Sequence, residues 1–179
     1  VTMWLFPEPM SLLRPVILER ARPGTRVVTS TWSLGSWQPD EMSSNDDGNA
    51  IYMWIVPARI AGGWDWDLNV GGKPFRYAAV LDQHFQKVEG AVRAGDRREV
   101  LSAMTLRGGD ITFTLEITLD GLGLTRHEFS GKDNGDEIVG TVKVTPPDQP
   151  PVTLPWMARK TERSDYFAPT GTAMFQPPG

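Results

Sequence analysis

The chain has two histidines, and each stands where its ring could work with a neighbour. His127 lies in Thr125-Arg126-His127-Glu128-Phe129, on the same parity as Phe129, so in a strand both side chains point to one face, the inward one. A neutral imidazole titrating near ~6.5 is the usual general base at neutral pH. Inside the mouth of a barrel it could activate water against a small ester or lactone. The same residue also reads as a hydrogen-bonded interior histidine with a structural role. His84 follows Asp82 by two positions, which places carboxylate and ring on one face of a regular strand. That pair can orient an imidazole for base catalysis, or can be a solvated strand end. A hydrolase reading therefore rests on His127, His84 and Asp82. No Ser stands in a Gly-x-Ser-x-Gly elbow and no His-Glu-x-x-His helix is present, so the two commonest hydrolase signatures fail. The absence of Cys excludes thiolate nucleophiles, disulfides and thiolate metal sites.

A second chemistry is binding. Trp64, Trp66, Phe113, Phe129 and Trp156 fall on inward parities and could line a site for a flat or apolar ligand, since such sites are concave and mostly apolar. Small barrels, however, fill their own interiors with side chains. The oxygen-rich runs Asp133-Asn134-Gly135-Asp136-Glu137 and Asn45-Asp46-Asp47-Gly48-Asn49 suit a hard cation in donor type. Neither has the twelve-residue spacing with a terminal Glu, turn chemistry accounts for both, and no metal is expected. The glycine-rich turns lack the preceding strand and following helix that a nucleotide-binding loop requires, so they read as hairpins and no cofactor is expected in this chain.

These residues need elements to hold them. With 179 residues, 40% apolar and 22% charged, the chain is long enough to bury a real core. No apolar run approaches the ~20 residues of a spanning helix, so no membrane partner is expected. Eighteen basic against 22 acidic residues give a net charge of -4, which removes any bulk attraction to nucleic acid or an anionic surface. No secretory pattern opens the sequence, and a cytoplasmic location is expected. Val1 to Phe6 is a continuous apolar run that reads as a buried strand. The stretch from Pro9 to Arg22 spaces Met10, Leu13 and Ile17 as a helix does and stops at Pro23-Gly24. Thr25 to Trp32 is β-branched and reads as the next strand. Strand, helix and strand at this length make a parallel βαβ crossover.

From Gln38 to Asn49 the sequence turns polar and acidic, as a loop at a boundary does. After it the period becomes two. Ile51 to Ala58 is apolar on both parities, and Ile111, Phe113, Leu115, Ile117 and Leu119 alternate cleanly with polar residues. Further runs follow at spacings of roughly ten residues, separated by Gly71-Gly72, Gly108-Gly109-Asp110 and Asp133-Asn134-Gly135, which suggests an antiparallel barrel or sandwich. The organisation expected is thus mostly β: a βαβ unit over 1–42, a linker loop over 43–50, an antiparallel barrel over 51–163 and an irregular tail over 164–179.

The block Leu12-Leu13-Arg14-Pro15, then Pro23-Gly24-Thr25-Arg26-Val27-Val28 and Gly35-Ser36-Trp37-Gln38-Pro39-Asp40, resembles the fourth strand, fifth helix and fifth strand of a bacterial class I S-adenosylmethionine-dependent methyltransferase. The continuation Ile51-Tyr52-Met53-Trp54-Ile55-Val56-Pro57-Ala58 and Gly62-Gly63-Trp64 is similar to the run from such a sheet into a C-terminal β domain, and its Gly-x-Trp is similar to the first strand of lipocalin-like barrels. The resemblance implies a remnant of a Rossmann-like sheet joined to a lipocalin-like barrel. It also implies that the glycine-rich turn and acidic residue that hold S-adenosylmethionine in the intact family are absent, so the chain alone would not methylate. It further implies that Arg159 stacks on Trp64 to close the barrel bottom, a structural role, with Arg159 counted among the ligand-binding set. Physically, an isolated βαβ unit would expose a large apolar face, which leads to the expectation of a homodimer or higher oligomer formed through it. The readings to be weighed are a small-molecule binding or covering module, a small hydrolase and an oligomerising structural domain.

Overall fold

The computed structural model describes residues 1–161. The tail expected over 164–179 lies outside the described residues. The chain divides into two compact units, one of Val1–Ala58 with Arg107–Gly109, the other of Arg59–Leu106 and the residues from Asp110 onward.

The first unit begins with β1 (Thr2–Met3), α1 (Pro7–Arg20) and β2 (Arg26–Ser30), and continues with β3 (Glu41–Ser44) and β4 (Ala50–Ile55). Its sheet runs β1-β2-β4-β3, with β1 parallel to β2 and β4 antiparallel to both neighbours. The expected crossover is therefore formed. Helix α1 starts on Pro7, where a missing N–H costs nothing, and carries Glu8 in its first turn and Arg20 in its last, both suited to the helix dipole. It ends as Ala21 N–H bonds the Ile17 carbonyl at 2.9 Å, just before Pro23 and Gly24. Arg14 reaches from the helix to the Leu34 carbonyl at 3.0 Å and fixes the segment after β2. Beneath lie Met10, Val27, Leu34, Trp37 and Trp54, all buried, with Trp54 Nε1 donating to the Trp37 carbonyl at 2.8 Å.

Two expectations need correction. Val1 to Phe6 is not a buried strand: only Thr2–Met3 pairs, and Trp4 and Phe6 are 83% and 72% exposed. Among the described residues the strand is the sheet's edge, with β2 on one side and no strand on the other, which leaves Trp4 and Phe6 exposed. Nor does the polar stretch end the first unit, because β3 forms inside it. Strand β4 lies centrally between β2 and β3, which accounts for its apolar residues on both parities. The division consequently falls after Ala58 and not in 43–50.

The second unit is one sheet of nine strands: β5 (Gly62–Val70), β6 (Lys73–His84), β7 (Lys87–Ala94), β8 (Arg97–Val100), β9 (Ser102–Arg107), β10 (Asp110–Leu119), β11 (Gly123–Asp133), β12 (Glu137–Thr145) and β13 (Val152–Thr161). Their order is β8-β7-β6-β5-β13-β12-β11-β10-β9, so the first and last strands of the unit pair with each other. The β5–β6 hairpin turns on Gly71 and Gly72, with φ of 61° and 81°, a conformation that side chains with a Cβ resist. The run from Asp133 is a hairpin turn too: Gly135 N–H bonds Asp133 Oδ2 at 3.2 Å and Glu137 N–H bonds Asn134 Oδ1 at 3.1 Å.

The ladder does not close into a barrel. Its two end strands, β8 and β9, are separated in the chain by Leu101 alone, and consecutive strands joined by one residue lie end to end, not side by side. The stretch bends instead, with Ala103 at φ 50°. The sheet curls far enough to bring β8 near β10. Inward residues then form the core, and each large one removed from water contributes about 1.5–3 kcal/mol.

Candidate functional site

Five aromatic side chains meet inside the second unit because alternation on β5, β6, β10, β11 and β13 sends them to one face. Trp66 stacks on Tyr77, ring centres 5.4 Å apart and nearly coplanar. It meets Phe129 and Trp156 edge-on at 5.5 and 5.9 Å. Phe113 stacks on its register partner Phe129 at 4.5 Å. Trp156 has room because Gly131 lies beneath it: a Cβ there would come within 2.8 Å of the indole. Four of the expected binding residues, Trp66, Phe113, Phe129 and Trp156, are thus brought together and buried.

His127 joins this cluster. It is fully buried, its ring stacks 5.8 Å from Phe129, and Nε2 lies 2.9 Å from the Tyr77 hydroxyl. Burial lowers its pKa to about 4, opposed by the carbonyls of Leu115 and Thr125, which favour a proton on the ring. Burial also pushes the Tyr77 hydroxyl well above its usual range. Both groups are therefore neutral at pH 7. Hydroxyl and Nε2 share one hydrogen bond, whose direction follows the ring's tautomer, and Nδ1 is buried without a hydrogen-bond partner. Tyr77 was not singled out from the sequence; the alternation Phe75, Tyr77, Ala79, Leu81 was the available signal.

Trp64 is buried apart from this group, its Nε1 donating to the Ile60 carbonyl at 2.8 Å. The cation above its ring is Lys160, with Nζ 5.5 Å from the centroid. Arg159 instead points outward to Glu137, Nε to Oε1 at 3.3 Å. The register explains the one-residue difference: Trp64 faces Lys160, and Arg159 faces Asp65. His84 and Asp82 are at the exposed end of the β6–β7 hairpin, remote in role from the interior. Asp82 Oδ1 accepts from the Gln83 N–H at 2.8 Å, and the His84 ring lies against Phe85 at 4.4 Å. His127 and His84 do not share a site.

The first unit carries a different feature, one not anticipated from the sequence. A groove of about 420 Å³ opens where β1 and β2 end, lined by Met3, Trp4, Val28, Thr31, Asp47 and Ile51 among others. Trp4 also borders a shallower depression with Leu5, Phe6 and Trp32. Thr31 has φ 72°, a costly conformation for a β-branched residue, held by its N–H on the Ala50 carbonyl at 2.7 Å. Ligands of open α/β sheets bind outside the carboxyl ends of parallel strands, which is where this groove lies.

No family model matches the chain. It is 32% identical over 59 residues to a protein-lysine N-methyltransferase of Saccharolobus islandicus (strain REY15A), a match covering 31% of this chain and 37% of that relative. The chain is related to methyltransferases over part of its length. It spans little more than a third of the curated relative it matches. Among solved structures it is similar to an RNA methyltransferase from Salinibacter ruber in complex with S-adenosyl-L-homocysteine, at 37% identity over 34% of this chain and 39% of that one, with a TM-score of 0.31. Among the described residues no helix is long and apolar enough to cross a membrane.

Proposed function

We propose that this chain is the carboxyl-terminal part of a methyltransferase-like protein, in which the first unit supplies the far strands of the methyltransferase sheet and the second, lipocalin-like unit binds or covers a small, mostly apolar molecule. The observation that carries the reading is the parallel β1–α1–β2 crossover with β1 left as an open edge, in a chain related to a methyltransferase. The methyltransferase resemblance of Pro23–Val28 and Gly35–Asp40, both inside this first unit, supports assigning the relationship there. A parallel sheet is stable when further strands and helices enclose it, and two parallel strands are too few to do so. The cofactor half would extend the sheet on the β1 side. The groove at the strand ends would then face whatever receives the methyl group. The chain by itself does not transfer methyl groups, and its exposed Val1, Trp4 and Phe6 pair with a second copy, giving a homodimer.

The aromatic interior supports the binding role of the second unit. His127, enclosed and engaged by Tyr77, fits a wall residue of that interior better than a base reached by water. Calorimetric titration tests the division of labour. S-adenosylmethionine is expected to give no binding heat with this chain, and a small apolar probe such as a naphthalene derivative is expected to give it; tight binding of S-adenosylmethionine would overturn the assignment. A monodisperse monomer by light scattering would remove the homodimer.

A further inference from the structure

Four of the buried indoles fall into two kinds. Trp54 and Trp64 each place Nε1 2.8 Å from a backbone carbonyl. Trp66 and Trp156 are 4% and 2% exposed, and neither indole nitrogen has a hydrogen-bond partner. Buried indole N–H groups normally find an acceptor, because leaving one unmatched in an apolar interior forfeits its bond to water. These two occupy one cluster, with ring centres 5.9 Å apart at 81° and Phe129 against both. The walls offer them little: backbone carbonyls of the sheet point along the ladder, and the Tyr77 oxygen is engaged with His127.

We infer that the molecule taken by the second unit has a flat apolar body bearing a neutral hydrogen-bond acceptor, a ketone, ester or ether oxygen, which receives Nε1–H from Trp66 and Trp156. The inference rests on the reading of this unit as a small-molecule binder and adds the chemical class of the ligand. A pure hydrocarbon would fill the aromatic cluster and leave both N–H groups unmatched. A carboxylate would bring a charge into an interior whose ionisable neighbours, Tyr77 and His127, supply no counter-charge.

The test is a matched pair, 2-acetylnaphthalene and 2-isopropenylnaphthalene, which differ by an oxygen in place of a methylene. Each is titrated calorimetrically into the full chain and into the Trp66→Phe, Trp156→Phe and doubly substituted chains. The ketone is expected to bind the native chain at least tenfold more tightly than the alkene. Each single substitution cuts that ratio at least threefold, and the double one abolishes it while alkene binding persists. Equal affinity of the two probes for the native chain overturns the acceptor while leaving a binding module in place. Binding of neither overturns the binding module and the inference together. Should the double variant fail to fold, the native protein decides alone: the indole N–H resonances of Trp66 and Trp156 move downfield with the ketone and not with the alkene. Resonances that the bound ketone leaves unmoved overturn the inference.

Discussion

The two units handle tryptophan in opposite ways. In the second, Trp64, Trp66 and Trp156 are all buried, because nine strands whose first and last members pair leave an inward face with few routes to water. In the first, Trp37 and Trp54 are buried, but Trp4 and Trp32 stand 83% and 43% exposed beside a strained threonine. The difference follows from edges. A nine-stranded sheet that curls over its inward face covers its own apolar residues, whereas a four-stranded sheet ending on a two-residue parallel strand leaves some of them in water. Stability should therefore concentrate in the second unit, and exposed apolar surface in the first.

The sharpest way to break this comparison is to cut the aromatic cluster. Trp156→Ala is expected to cost roughly 3–5 kcal/mol in a denaturant titration, the usual range for large-to-small changes in a packed core. A cost below 1 kcal/mol would mean that the interior is loosely filled. Acid offers a comparable lever on the same unit. Folding holds the His127 pKa below its unfolded value of 6.5, so the contribution is complete above that pH and is lost as pH falls through about 4. The loss amounts to roughly 3 kcal/mol. His127→Gln should flatten that part of the stability curve, and a variant that still loses stability there would move the cause elsewhere. Tyr77 acts in the other direction, its contribution complete below pH 10 and falling as pH rises beyond it.

Smaller effects sharpen the contrast. Gly131→Ala drives a methyl into the Trp156 indole and should lower stability by about 1–3 kcal/mol, visible as a lower melting temperature. In the first unit, Arg14→Ala removes the bond to the Leu34 carbonyl, a loss of about 1 kcal/mol, read most directly as faster amide exchange in the segment after β2. Trp4→Ala, at an exposed site, should change monomer stability by no more than about 0.5 kcal/mol while weakening self-association in sedimentation. A large loss of stability from Trp4→Ala would show that the open edge is less open than it stands here.

Much of this was legible before the structure. Period-two alternation marked β10, and glycine pairs marked the hairpins, because both signals are local. The cluster of Trp66, Phe113, Phe129 and Trp156 followed from parity alone. What failed needed neighbours that local patterns do not name. The apolar run Val1 to Phe6 looks like a buried strand in any window, and only its place at the sheet's edge exposes it. The polar stretch holding β3 looks like a boundary, and only its pairing with β4 keeps it in the first unit. The cation over Trp64 was off by one position, although counting parity from Trp156 reaches Lys160. The unmatched indoles could not be read at all, since they are defined by acceptors that are not there.

The pairing of β5 with β13 sets Gly63 opposite Thr161, so the first and last described strands of the second unit lie side by side. A module with adjacent ends can be spliced between other segments, or have those ends joined and a new opening cut at a hairpin, with little disturbance to its interior. The adjacency of these two strands thus suits the nine-stranded sheet to such splicing, with Arg107–Gly109 the one place among the described residues where the chain leaves it for the first unit.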